Sequence, residues 1–176
     1  MPRKVAVDPH NPRWAEMFAA ESTLVAQALG PNMVAVHHIG STAIPTIHAK
    51  PIIDMLVEVS DLGAVDARNP AIEALGYEPR GEFGIPGRRF FRKDDQAGIR
   101  THHIHAFAAG DPQVKRHLAF RDFLLANPHW ARQYSELKRK LADANPDDIE
   151  RYMDGKDAFI KEVDRMAKAW RTDSAV

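Results

Sequence analysis

The sequence predicts a single domain of the α+β class. β-branched and apolar runs lie in the middle of the chain, whereas both ends carry apolar residues at the three- and four-residue spacing of amphipathic helices. With 176 residues the chain is long enough for one hydrophobic core and short for two. We therefore assign residues 1–176 to one domain, with a frayed tail after Arg171.

The helices are predicted from their boundary residues. Asn11-Pro12 is typical of a helix start, since Asn can cap a helix and Pro fits its first turn. Gly30-Pro31 supplies the stop of this first helix. Three further starts of the same kind, at Asp111-Pro112, Asn127-Pro128 and Asn145-Pro146, predict that the last third of the chain is helical.

The middle of the chain is predicted to form the sheet. Met33–Ile39 is a β-branched, apolar run that leads directly into Gly40-Ser41-Thr42. The later elements are predicted in chain order: a strand at Pro51–Val59, a helix at Asp61–Leu75, a short strand near Tyr77, and a hairpin of Arg88–Lys93 with Ile99–Phe107.

The composition excludes several kinds of partner and chemistry. Lys plus Arg equal Asp plus Glu at 24 each, so no net field attracts duplex nucleic acid and any anion site must be local. The absence of cysteine excludes disulfides, thiolate chemistry and cysteine-ligated zinc. Met1–Val7 lacks the apolar stretch of a secretory signal, and no run of about 18 apolar residues occurs. We therefore expect a cytoplasmic protein with no membrane partner.

One interpretation of Gly40-Ser41-Thr42 is a phosphate-binding turn. Its glycine allows close backbone approach, and its two hydroxyls can donate hydrogen bonds. The segment is neither a P-loop nor the three-glycine dinucleotide fingerprint. A simple tight turn is the alternative, and for an isolated Gly-Ser pair it is the commoner case.

Asp54 interrupts the apolar strand Pro51–Val59, which otherwise has the composition of a central strand. By the two-residue period of a strand, Asp54, Leu56 and Glu58 share one face. A carboxylate at the mouth of such a strand can bind a hard cation such as Mg²⁺. The alternative is an aspartate that caps a neighbouring turn.

These segments resemble the signature of the GrpB-like family. The resemblance is carried by His38-Ile39-Gly40-Ser41-Thr42-Ala43-Ile44-Pro45, Ala49-Lys50-Pro51-Ile52-Ile53-Asp54, His102-His103-Ile104-His105, His117-Leu118-Ala119-Phe120-Arg121-Asp122, Tyr152 and Lys156. It covers nearly the whole chain and implies the nucleotidyltransferase superfold. We therefore expect a mixed, mostly antiparallel sheet of four to six strands, with the first helix and the C-terminal helical segment packed on it.

The resemblance also implies a site. In the superfold a Gly-Ser turn holds a nucleotide phosphate, and acidic residues on the next strands hold divalent metal. Carried over, this assigns catalysis to Asp54 and Ser41 and phosphate or nucleotide binding to His38, Gly40, Ser41 and Thr42. The implied partner is a nucleotide or other phosphorylated small molecule, and the implied cofactor is Mg²⁺ or Mn²⁺.

Two positions depart from the pattern of the superfold and family. The second strand usually shows two carboxylates two residues apart, whereas the partner of Asp54 is Leu56. Glu58 lies on the same face but about 13 Å along the strand, at ~3.3 Å per residue, and is a poor substitute. Thr46 stands where the family commonly has glycine, which affects the loop that closes over the phosphate.

His103 and His105 share a strand face where the superfold often has a third acidic residue. Imidazole suits Zn²⁺, Mn²⁺ or Fe²⁺ better than Mg²⁺, so these residues and Asp54 would form a transition-metal site, with Zn²⁺ as the alternative ion. Two other interpretations are contact with a phosphate and burial as core histidines satisfied by backbone groups.

Several basic residues form a second candidate set. Lys156 falls on the apolar stripe of the last helix, and an inward cation needs a negative partner or a route to solvent. Taken alone, each basic residue of this set is more often a side chain that extends its charge to solvent or a member of a structural ion pair. Arg89 is predicted to share a face with Phe91, which would offer a base-stacking surface. The predicted phosphate-binding cations are Lys50, Arg89, His117, Arg121 and Lys156.

Three functions are compatible with these residues. The first is a metal-dependent nucleotidyl or phosphoryl transferase whose carboxylate pair is incomplete. The second is a non-catalytic module that binds a nucleotide or small anion, which would explain the missing carboxylate directly. The third is a histidine-metal phosphoester hydrolase, in which Asp54, His103 and His105 converge on one ion.

Overall fold

The structure is a computed structural model that describes residues 5–174, with side chains as far as Arg171. The described chain forms six α-helices: α1 (Arg13–Leu29), α2 (Leu62–Asp66), α3 (Asn69–Glu73), α4 (Pro112–Ala126), α5 (Pro128–Ala144) and α6 (Ile149–Ser174). It forms five strands: β1 (Met33–Ile39), β2 (Ile53–Val59), β3 (Tyr77–Pro79), β4 (Arg88–Asp94) and β5 (Arg100–Ala108). The predicted α+β class is confirmed. The tail expected to fray after Arg171 lies beyond the described side chains, and its last two residues lie outside the described chain.

The five strands form one mixed sheet in the order β1-β2-β5-β4-β3. β2 and β5 are parallel, and the other three neighbouring pairs are antiparallel. The crossover that joins the parallel strands carries α2, α3, β3 and β4. The predicted mixed, mostly antiparallel sheet of four to six strands is thus confirmed.

The chain divides into two compact units. The sheet unit comprises Arg13–Gly40 and Ile52–Lys115, and the helical unit comprises Met1–Pro12, Ser41–Pro51 and Arg116–Val176. The boundary falls inside the predicted phosphate-binding turn, because Gly40 belongs to the sheet unit and Ser41 to the helical unit. The assignment of residues 1–176 to one domain stays a prediction.

In the sheet unit, helices cover one face of the sheet. α1 packs against β1, β2 and α3, whereas α2 packs against β4 and β5. Ile53, Met55 and Val57 of β2 are fully buried. Since side chains alternate along a strand, Asp54 and Glu58 project from the opposite face.

In the helical unit, α5 packs against α6. The larger core of this unit contains Ile44, Ile47, Ala119, Phe123, Leu124, Ala131, Tyr134, Val163 and Ala167. A smaller core contains Val5, Ala142 and Tyr152. None of the described helices combines the length and the apolar composition that crossing a bilayer requires.

The single helix predicted at Asp61–Leu75 is wrong, because two short helices, α2 and α3, occupy this segment. The Oδ1 atom of Asp61 caps α2 by accepting a hydrogen bond from the Gly63 N–H at 2.9 Å. Pro70 lies in the first turn of α3. Proline lacks the N–H that a continuous helix would need, which explains the break.

The helix start predicted at Asn145-Pro146 is also wrong, since α6 begins at Ile149. The Oδ1 atom of Asp148 accepts a hydrogen bond from the Arg151 N–H at 3.0 Å and is the actual cap. The Asn145 side chain instead donates to the Leu141 carbonyl at 3.0 Å and so completes the end of α5.

Candidate functional site

Asp54, His103 and His105 converge on the sheet face opposite α1. The parallel register of β2 and β5 pairs Asp54 with His103, and the strand period places His105 on the same face. Both imidazoles contact one carboxylate oxygen, because His103 Nδ1 lies 3.2 Å and His105 Nε2 lies 3.1 Å from Asp54 Oδ1. The Asp54 side chain is 26% exposed, so the cluster is reachable from solvent.

Two arginines contact the outer nitrogens of these imidazoles. Arg100 Nη1 lies 3.2 Å from His103 Nε2, and Arg88 Nη1 lies 3.4 Å from His105 Nδ1. Since a guanidinium can only donate, each outer nitrogen must accept, and in a neutral imidazole the proton then lies on the inner nitrogen. Both inner N–H groups therefore donate to Asp54.

This arrangement determines the charge of Asp54. Burial alone would raise the pKa of the Asp54 carboxyl. The hydrogen bonds from His103 and His105, together with the positive charge of these rings when protonated, outweigh burial and hold the pKa well below its ordinary value. Asp54 is therefore an anion throughout the physiological pH range.

Phe90 of β4 forms an aromatic wall beside the cluster. Its ring centroid lies 5.2 Å from that of His103 and 5.3 Å from that of His105. Phe83 stacks on Phe90 with 5.1 Å between ring centroids, and the Arg88 guanidinium lies 4.9 Å from the same ring. The Phe90 ring therefore packs against both imidazoles and restricts their orientation.

The donor set fits a divalent cation. One carboxylate oxygen and two imidazole nitrogens, the ligand atoms offered by Asp54, His103 and His105, all lie within 4.8 Å of one another. A mixed set of one carboxylate and two imidazoles suits a first-row transition ion. Ligation requires the inner imidazole protons to leave, and the outer nitrogens must then donate to an acceptor, which an arginine cannot provide. Cation binding and the two arginine contacts therefore compete.

Two residues predicted for this site lie on the other face of the sheet. The His38 ring stacks on Phe18 of α1 with 4.8 Å between centroids. Arg89 forms an ion pair with Asp66 of α2, with 2.8 Å between Nε and Oδ1. The phosphate-binding roles of His38 and Arg89 stay predictions. The base-stacking surface expected at Phe91 is wrong, because this ring is buried in the core.

The helical unit contains the remaining predicted site residues: Ser41, Thr42, Lys50, His117, Arg121 and Lys156. Ser41 and Thr42 form part of a 3₁₀ helix, Ser41–Ala43, in which Thr42 is buried. Lys50 Nζ and Lys156 Nζ lie 4.8 and 4.6 Å from the centre of the Tyr152 ring. The structure therefore brings these two lysines together, and Lys156 is buried as predicted.

The other two predicted cations of this unit have neighbours of their own on α4. Arg121 Nε donates to Asp122 Oδ1 at 3.0 Å. His117 Nε2 accepts from Arg116 Nη2 at 3.2 Å, since only the guanidinium can donate. The predicted roles of Arg121 and His117 in phosphate binding remain untested by these contacts.

Sequence reasoning missed four residues that the structure places in or beside these clusters: Arg88, Phe90, Arg100 and Lys138. Arg88 and Phe90 depend on the register of β4 against β5, which the predicted hairpin does not fix. Lys138 had a detectable signal, because it lies on the same helical stripe of α5 as the buried residues Ala131, Tyr134 and Ala142.

Several known proteins are similar to this chain in sequence. The GrpB protein family profile matches residues 4–166. The UPF0157 protein YqkA of Bacillus subtilis is 47% identical over 169 residues, covering 96% of this chain but only 49% of that protein, so the chain spans about half of this relative. The glutamate-rich protein GrpB of Alkalihalophilus pseudofirmus is 34% identical over 88% of this chain and 90% of that protein.

A solved structure agrees over almost the whole chain. The crystal structure of the conserved protein GrpB from Enterococcus faecalis superposes with a TM-score of 0.89 and 45% identity, covering 94% of this chain and 99% of that chain. Sequence and fold thus give the same assignment, and this chain belongs to the GrpB protein family.

Proposed function

We propose that this protein transfers a phosphoryl or nucleotidyl group in a metal-dependent reaction, with the cation bound by Asp54, His103 and His105. The observation that carries the proposal is the convergence of the three ligand atoms within 4.8 Å. The hydrogen-bond separations of 3.1 and 3.2 Å between Asp54 Oδ1 and the two imidazole nitrogens also match the spacing of ligands on one ion, which would replace the two imidazole protons. Neighbouring ligands on one ion, each at about 2.1 Å from it, are roughly 3.0–3.4 Å apart.

The proposed ion is Mn²⁺. Mn²⁺ accepts both carboxylate and imidazole ligands, whereas Mg²⁺ prefers an all-oxygen set. Zn²⁺ is the alternative within the same proposal, because two imidazoles and one carboxylate also match a catalytic zinc site.

The proposed roles of the individual residues are as follows. Asp54 supplies the negative charge that draws the ion, and the two imidazoles complete its protein ligands. A bound divalent cation would supply Lewis-acid polarisation of a phosphoryl oxygen. Phe90 restricts the orientation of both imidazoles, while Arg88 and Arg100 lie where they can stabilise anionic substrate oxygens once released from the imidazoles.

The resemblance of Gly40-Ser41-Thr42 to a phosphate-holding turn supports a phosphorylated substrate, which we propose to be a nucleotide. Gly40 directly follows β1, which pairs with β2 so that Ile39 opposes Asp54. Ser41 and Thr42 provide the hydroxyls of the proposed turn. The proposed catalytic role of Ser41 rests on the family resemblance alone.

A specific observation favours a second candidate, a non-catalytic module that binds a nucleotide or small anion. Leu56 occupies the strand position where a second carboxylate is expected, and it is completely buried. Two-metal phosphoryl transfer needs acidic ligands that clamp both the attacking and the leaving oxygen. One cation held by one carboxylate would bind a phosphate without completing that clamp.

Thermal unfolding tests the proposed cation site. Mn²⁺ at about 100 times its dissociation constant should stabilise the wild type by ~2.7 kcal/mol, and Asp54→Asn should abolish this response. Glu58→Gln is the matched control, because Glu58 lies on the same face of β2 and its carboxylate contacts His37 at 2.7 Å. Retention of the full Mn²⁺ response in Asp54→Asn would contradict the site.

Nucleotide tests separate the two candidate functions. With Mn²⁺ present, both functions predict further stabilisation by a nucleoside triphosphate, because a ligand that binds only the native state raises its stability. Only the transferase predicts release of pyrophosphate or phosphate on incubation, and that release should disappear in Asp54→Asn but not in Glu58→Gln. Binding without turnover would favour the non-catalytic module.

A further inference from the structure

Lys138 of α5 is a buried lysine whose amine makes no hydrogen bond within the described chain. Its side chain is almost completely inaccessible, with 1% relative exposure. Among the described residues, its Nζ has no hydrogen-bond partner and lies 4.5 Å from the centre of the Tyr134 ring. An ammonium group can donate three hydrogen bonds, and a buried charge without them is strongly unfavourable.

Two further lysines, Lys50 and Lys156, lie near Lys138. Lys50 and Lys156 lie over the Tyr152 ring, and their charges, after burial, contribute to lowering the pKa of Lys138 to about 6. We call Lys50, Lys138 and Lys156 the lysine cluster. Within the described chain, the Tyr152 hydroxyl is also buried without a hydrogen-bond partner. Lys138 Nζ and the Tyr152 hydroxyl are thus two neighbouring buried groups that both lack a hydrogen-bond partner among the described residues.

Lys50 lies on the solvent side of the lysine cluster. Lys50 Nζ lies 4.0 Å from Met153 Sδ, and the Met153 side chain is 47% exposed. Lys50 itself is only half-buried. A small molecule that binds the lysine cluster would therefore enter from the Lys50 side.

We propose that the lysine cluster is a binding site for the phosphate group of a small molecule. Three ammonium groups and one phenol offer up to ten N–H and O–H donors, and a tetrahedral dianion has enough oxygens to accept from all four groups at once. Its double charge offsets the mutual repulsion of the lysines better than one carboxylate would. The anion would also favour the charged form of Lys138, which burial otherwise disfavours.

This site goes beyond the proposed metal-dependent function. All its residues belong to the helical unit, whereas the cation ligands belong to the sheet unit. Phosphate binding at the lysine cluster requires no metal, so it is tested in the presence of EDTA. Failure of this proposal would leave the Mn²⁺ response intact, and failure of the cation site would leave the phosphate response intact.

The test compares thermal unfolding in phosphate, pyrophosphate, succinate and chloride at equal ionic strength. Phosphate or pyrophosphate should raise the melting temperature of the wild type by about 2–4 °C over chloride. Lys138→Met should weaken phosphate binding about tenfold, because it removes a charge-assisted hydrogen bond. Lys140→Met is the matched control, since Lys140 is exposed on the same helix and carries the same charge.

A second variant keeps the test decisive if Lys138→Met does not fold. Tyr152→Phe removes only the unpartnered hydroxyl and retains the ring that the lysines face, so it should fold and bind phosphate several-fold more weakly. The proposal is overturned if phosphate and pyrophosphate leave the wild type unchanged, or if Lys138→Met and Lys140→Met respond alike. An equal response to succinate would overturn the assignment to phosphate.

Discussion

Gly40 and Asp54 lie so close that only a glycine fits: a Cβ built on Gly40 would be 2.7 Å from Asp54 Oδ2. The φ angle of Gly40 is +75°, in the left-handed region that other residues rarely adopt. Two requirements therefore coincide at Gly40, the backbone conformation and the space for a carboxylate. Gly40 was predicted to allow close approach of a phosphate. In this structure its missing side chain makes room for the carboxylate of Asp54.

Gly40→Ala should destabilise the protein more than a glycine replacement that introduces backbone strain alone. Gly98 is the control, because its φ is +80° and a Cβ there would meet nothing within 4 Å. Gly98→Ala should lower the free energy of unfolding by about 1–2 kcal/mol, and Gly40→Ala by roughly 1–3 kcal/mol more, since it must also displace Asp54. Urea unfolding measures both values. Equal losses of unfolding free energy in the two variants would show that the Asp54 side chain moves aside without an energetic cost.

Arg100→Gln should strengthen Mn²⁺ binding. The glutamine carbonyl can accept a hydrogen bond from His103 Nε2–H, which leaves Nδ1 free to bind the ion, whereas the arginine enforces the opposite tautomer. We expect an affinity gain of about tenfold, measured by titration calorimetry. Arg92→Gln is the control, because Arg92 opposes His103 in the register but contacts Glu78. Weaker binding in Arg100→Gln than in this control would contradict the predicted tautomer.

Lys138 should make stability depend on pH in anion-free buffer. Burial, followed by the charges of Lys156 and Lys50, lowers its pKa from 10.5 to about 6. Between these values the unfolded chain binds one more proton than the native state, so the free energy of unfolding rises with pH, by up to about 1.4 kcal/mol per unit. The stability is lost as the pH falls toward 6.

Lys138→Met should remove this dependence, and Lys140→Met should retain it. Urea unfolding at about pH 6.5, 7.5 and 8.5 measures it, with chloride as the only anion. The advantage of Lys138→Met over the wild type should be greatest at the lowest pH and shrink as the pH rises. Parallel pH profiles for the wild type and Lys138→Met would show that Lys138 is not a buried, neutralised amine.

Thr46→Gly should stabilise the protein. Thr46 has a φ of +78°, which strains a β-branched residue. Relief of about 1–2 kcal/mol of strain exceeds the ~0.5–1 kcal/mol that the greater freedom of unfolded glycine costs, so we expect a small rise in melting temperature. Thr46→Ala keeps the Cβ and should gain less. A loss of stability in Thr46→Gly would mean that the threonine side chain makes a compensating contact.

The elements predicted best are those with local signals. β1 was predicted with its observed bounds, because a β-branched run ends at a glycine. The hairpin of β4 and β5 was predicted from its turn, in which Asp95 Oδ1 accepts hydrogen bonds from the Ala97 and Ile99 N–H groups. The break between α2 and α3 was missed, although Pro70 marked it, because the apolar spacing continued through it.

The candidate site was predicted less completely because its geometry is not local. The contact between Asp54 and His103 joins residues 49 positions apart, and only the parallel pairing of β2 with β5 creates it. The same register selects Arg88 and Phe90 for the site face and directs Arg89 to the other face. A shift of one residue would exchange these sets.

The central position of the parallel pair has a kinetic consequence. The crossover from β2 to β5 contains two of the five strands, β3 and β4, so Asp54 and His103 meet only through non-local strand pairing, which is intrinsically slow. A cation bound there would close a long loop in the native state. Amide hydrogens throughout the sheet unit, and not only those beside the ion, would then exchange with solvent more slowly, because every opening that separates β2 from β5 must first release the ion.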